Sequence, residues 1–153
     1  QKMVHRNFTK VGGYEYNGQE LDFAEKIAAT LEKPLDMKYI HNVAPYDSNP
    51  KGIGGSTDVG DVSYTVPTAG LRGATWVPGT PAHSWQAVAA GGTSIGIKGM
   101  ILAAKALTLS GIELLESNGL ISKIKKEFID IRGKDFKYIP LLGEREPALD
   151  YRN

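Results

Sequence analysis

One run constrains this chain more than any other. Residues 95–115, IGIKGMILAAKALTLSGIELL, are apolar apart from scattered polar positions and are punctuated by glycine. The run is far too long for a strand and predicts a helix. Thr93 or Ser94 is placed to cap its first turn, and Asn118-Gly119 forms a natural stop. Ile97, Ile101, Ala104, Leu107 and Leu114 are predicted to form its inward stripe. Lys98, Lys105 and Glu113 interrupt the apolar run, which argues for a buried helix and against a membrane span.

Around that helix the pattern alternates. Residues 18–31, GQELDFAEKIAATL, space Leu21, Ala24, Ile27, Ala28 and Leu31 as a helix does, and Pro34 closes the segment. LISKIKKEFIDI, residues 120–131, predicts a shorter amphipathic helix. Between the helices stand β-rich segments: LDMKYIH, with Met37, Tyr39 and His41 on one face, then VSYTVP and LRGATWVP, each ended by proline. Helices packed on a small sheet, an α/β fold, are the expected outcome. Residues 42–61 read as a long loop, residues 136–153 as an extended tail, and the start, which contains His5, as frayed.

Composition removes several classes of function. Lys and Arg number 18 against 17 Asp and Glu, interspersed, so no polybasic nucleic-acid surface is expected. With no cysteine, thiol nucleophiles and Cys-ligated zinc are excluded, and a metal could use only histidine and carboxylate ligands. The 153 residues suit one domain. They open on Gln1 rather than methionine, which fits part of a longer protein.

Three local features could carry chemistry. GIGGSTDVGD, residues 52–61, is either a plain glycine-rich turn or a loop whose backbone approaches a ligand, with Asp58 and Asp61 as acceptors. A nucleotide P-loop is excluded there, because no Gly-Lys-Ser/Thr follows and the next segment reads as a strand. PGTPAHSWQ presents His83 ahead of Trp85, whose size predicts a core position; a lone imidazole is usually structural and cannot hold a metal alone. AGGTS, with Gly91, Gly92 and Thr93, precedes a helix N-terminus, where amides could receive a carboxylate or simply be capped.

Taken in order, GSTDVGDVS, GTPAHSWQ and GTSIGIKGMILAAKAL resemble the C-terminal part of the metallopeptidase family 20 amidohydrolases, most specifically between Gly55 and Leu107. The resemblance implies an α/β/α sandwich, of which this chain would be the C-terminal segment of the catalytic domain. It implies a two-metal centre, zinc or alternatively manganese, hydrolysing the amide of N-acyl or aminobenzoyl amino acids with a metal-activated water. His83 would be a metal ligand, while Gly55, Ser56, Thr57 and Asp58, with Gly91, Gly92 and Thr93, would line the pocket. The family's His-x-Asp motif and Glu-Glu pair are absent from these residues. The isolated chain is therefore expected to be inactive and to bind metal poorly, its partner being the remainder of the same enzyme. The parent is expected to be a cytoplasmic homodimer or hetero-oligomer that binds neither nucleic acid nor membrane. The rival reading is a non-catalytic α/β binding or interaction module.

Overall fold

The computed structural model describes residues 1–48 and 57–150. The expected α/β architecture, and with it the sandwich, does not hold: six α-helices and one short 3-10 turn account for all regular structure among the described residues, with no strand. Two compact units are present. The first comprises Gln1–Lys51 and Ala69–Asn118, the second Gly52–Thr68 and Gly119–Asn153.

The first unit is organised by the long helix. α1 (Lys2–Val11), α2 (Gly18–Ala28) and a short α4 (Trp85–Gly91) accompany α5 (Ser94–Glu116). Thr93 is the N-cap of α5, its hydroxyl accepting from the Ile95 N–H. The inward stripe differs from expectation. Ile97, Ile101 and Leu107 are exposed, as is Ala104, whereas Gly96, Gly99, Leu102, Ala106 and Ser110 are buried. The small residues face inward because neighbouring backbone approaches there more closely than large side chains allow. A Cβ on Gly99 would lie 2.2 Å from the Ala74 carbonyl oxygen, and one on Gly96 2.2 Å from that of Gly91. Ile95 and Leu102 are the large aliphatics that α5 buries, while Ile97, Met100, Ile101 and Leu107 are left on its outer face. By length and composition alone α5 could cross a membrane, with 33% of its apolar window buried. Within this unit its inner face is packed and its charges Lys98 and Glu113 are paired.

α1 is a helix where a frayed start was expected. Its inner face buries Val4 and Asn7 against α5. Asn7 donates to Glu113 Oε2 at 2.8 Å and lies 3.4 Å from Ser110 Oγ, and Arg6 pairs with Glu113. The core proper gathers Tyr16, Ala24, Ile27, Ile40, Val77, Ala90 and Ile95.

The segments read as strands take other forms. Met37–Ile40 is a 3-10 turn capped by Asp36, whose carboxylate accepts from the Lys38 N–H. Residues 71–77 are irregular; Gly73 packs on Gly99, and the Tyr14 hydroxyl donates to the Ala74 carbonyl at 2.6 Å. β-branched and aromatic residues fit a half-buried pleated surface, but a ladder needs a second extended segment, and α5 and Tyr14 occupy that place. In the second unit VSYT belongs to α3 (Val59–Thr65), and only Val66 is extended. There the Tyr64 ring stacks on Phe136 at 5.4 Å, and Tyr138 donates to Asp61 at 2.7 Å. The segment expected as an extended tail is thus tied to α3 through residues 136–138. α6 (Leu120–Arg132) completes the unit, with Arg132 lying over Phe128.

Candidate functional site

The stretch 77–84 is built to hold one conformation. Gly79, at φ +90°, closes the turn in which the Thr80 N–H donates to the Val77 carbonyl, and Pro78 O accepts from Leu35 N. Ser84 then starts α4: its hydroxyl donates to Pro81 O at 2.7 Å and accepts from Ala87 N at 3.2 Å. Between these anchors His83 has φ +59°, the one non-glycine residue with positive φ among the described residues. Such a conformation is costly for a residue bearing a Cβ and persists only where the surroundings impose it. His83 is exposed, and no described group hydrogen-bonds its ring. It is presented rather than packed.

Trp85 is 60% exposed, so its expected core position is corrected. The cap at Ser84 places it in the first turn of α4, while Gln86, Ala87 and Ala90 take the buried face. Trp76, His83, Ser84, Trp85, Ala87 and Val88 together line an open concavity of about 630 Å³.

Gly91, Gly92 and Thr93 form the α4–α5 turn of the same unit, and their polar groups are largely engaged in holding it. The Thr93 N–H and hydroxyl both donate to the Ala90 carbonyl, at 3.0 and 2.6 Å. The anion beside this helix start is the chain's own. Glu20, 4% exposed, accepts from Ser94 Oγ at 2.6 Å, from Lys98 Nζ at 2.5 Å and from the Asn17 N–H at 2.7 Å. Burial alone would raise its pKa, but the bonds from Lys98, Ser94 and Asn17 outweigh burial and hold the carboxyl at about 2. Sequence reasoning missed Glu20, although Asn-x-x-Glu ahead of an apolar run spells the capping box that Asn17 and Glu20 form.

Thr57 and Asp58 belong to the second unit, where Thr57 Oγ1 accepts from the Val59 N–H and Asp58 occupies the N-cap position of α3 without a side-chain cap bond. The helix there removes one ground for excluding a P-loop, and the missing Gly-Lys-Ser/Thr remains the other. Gly55 and Ser56 lie outside the described residues. Among the described residues no three His, Asp or Glu side chains gather as a metal site.

Neither fold nor site defines a class unaided, and comparison with known proteins supplies it. The chain is similar to a hydrolase subunit. It is 32% identical over 97% of its length to a subunit of the p-aminobenzoyl-glutamate hydrolase of Escherichia coli (strain K12), the one designated B, and it spans 36% of that protein. No family model matches the chain, and no solved structure matches it.

Proposed function

We propose that this chain is the C-terminal part of a metal-dependent amidohydrolase that cleaves the amide bond of aminobenzoyl or other N-acyl amino acids. Support comes from a relative named as an aminobenzoyl-glutamate hydrolase subunit, matched along almost the whole chain. The observation that carries the reading is His83. Within the matched segment the fold holds a histidine at positive φ, exposed and with its ring unbonded among the described residues, which is costly to maintain for packing alone.

An exposed imidazole suits zinc, so His83 fits as one ligand. One donor does not make a site, and the remaining ligands and the general base would come from elsewhere in the enzyme. A bound divalent ion would activate water and polarise the scissile carbonyl. His83 would supply a nitrogen whose position the Gly79 and Ser84 anchors fix in advance. Asp58 and its neighbours would shape the pocket. As the relative is named as one lettered subunit of its enzyme, a second kind of subunit is the proposed partner.

The test is hydrolysis of p-aminobenzoyl-glutamate by the intact subunit, with and without chelator and with zinc or manganese restored. Metal-dependent release of p-aminobenzoate is expected. Absence of turnover with either metal, in the presence of its partner subunit, would leave the binding-module reading in its place.

A further inference from the structure

The chain has two tryptophans, and both stand in the His83 concavity. Tryptophan is ordinarily well buried, because so large an apolar surface gains by leaving water. Here Trp76 is 36% exposed and Trp85 60%, and Val88 beside them is 79% exposed. The concavity's volume is in the range of small-molecule sites. None of its six lining residues carries a carboxylate, lysine or arginine, so it offers an apolar aromatic wall rather than a receptor for a charged group.

We propose that Trp76 and Trp85 form an aryl subsite that takes the aromatic ring of the acyl group, leaving the scissile amide beside His83. The assignment rests on the amidohydrolase reading and names the residues that would select an aryl-acyl over an aliphatic-acyl amino acid. Both rings stand on anchored backbone. Trp85 opens α4 directly after its Ser84 cap, and Trp76 follows the segment pinned to α5 by Gly73 and Gly99. The Trp76 ring also reaches the α4–α5 turn, since a Cβ on Gly91 would lie 3.9 Å from its Nε1. A flat, neutral, polarisable ring is the ligand such a pair selects, through offset or edge-to-face contact.

Because no other tryptophan is present, intrinsic fluorescence reports on this concavity alone. The 153-residue chain is titrated with p-aminobenzoyl-glutamate and, separately, with N-acetyl-glutamate, exciting at the red edge of tryptophan absorption and correcting for light absorbed by the aminobenzoyl group. Saturable quenching is expected with the aryl ligand and none with the acetyl one. Trp85→Ala, read through Trp76, should weaken aryl binding about three- to tenfold, and Trp85→Phe should restore most of it. Lack of saturable quenching, equal binding of N-acetyl-glutamate, or an unchanged affinity in Trp85→Ala would overturn the subsite. The measurement needs neither metal nor turnover. A failed subsite is thus distinguishable from a failed hydrolase reading, which turnover of the intact subunit decides.

Discussion

Two polar features of the first unit stand in opposite conditions. Glu20 is buried and fully engaged, tying the start of α2 to the first turns of α5 through Asn17, Ser94 and Lys98. His83 is exposed and strained, and no described group bonds its ring. A charge withdrawn from water must be compensated within the fold, and Glu20 is; it serves architecture. An imidazole kept in water at backbone cost contributes little to that architecture. Removing the first should therefore cost stability, and removing the second should cost function.

The largest stability effect is expected at Lys98. Lys98→Met leaves a buried carboxylate without its cation and should cost about 3 kcal/mol, the low end for such pairs because Lys98 keeps a third of its side chain in water. The same bonds set an acid response. The Glu20 pKa lies at about 2 when folded, below the ordinary 4.5 of the unfolded chain. Its contribution is thus fully present above about pH 4.5 and is lost as pH falls towards 2. Denaturant melts across that window should show stability falling in the native chain and falling less in Glu20→Gln. A smaller change is expected at the histidine turn. His83→Gly accepts the positive φ without a Cβ and should match the native chain within about 1 kcal/mol, with His83→Ala below it. The smallest is at Trp85, where Trp85→Ala should change stability by about 0.5 kcal/mol or less, as for an exposed position. A loss of several kcal/mol there would return Trp85 to the core and erase the contrast.

The helices were legible where period and punctuation agreed. α2, α5 and α6 follow from apolar spacing, Thr93 and Gly119. The face of α5 was not legible, because hydropathy favours Ile97 and Ile101 for the interior, while close approach by Ala74 and Gly91 requires Gly99 and Gly96 there. The strands failed for a related reason. Val, Tyr and Thr favour extended backbone only where a partner strand lies alongside, and partnership is a tertiary fact that VSYT and RGATWV do not encode. Of the candidate site, the motif GTPAHSWQ singled out His83 as presented rather than packed, but gave no sign of its positive φ. Exposure of Trp85 was hidden because size argues for burial, and only the Ser84 cap fixes which way α4 turns.

On the proposed function, His83 is held out for chemistry on a fold that does not need its side chain. The most direct test of that claim is p-aminobenzoyl-glutamate hydrolysis by the intact subunit carrying His83→Gly, with bound metal and melting temperature measured on the same preparation. Turnover should fall by about two orders of magnitude or more, and bound metal should drop, while the melting temperature stays near that of the native protein. Undiminished turnover and metal content, or activity lost only together with the fold, would contradict the account.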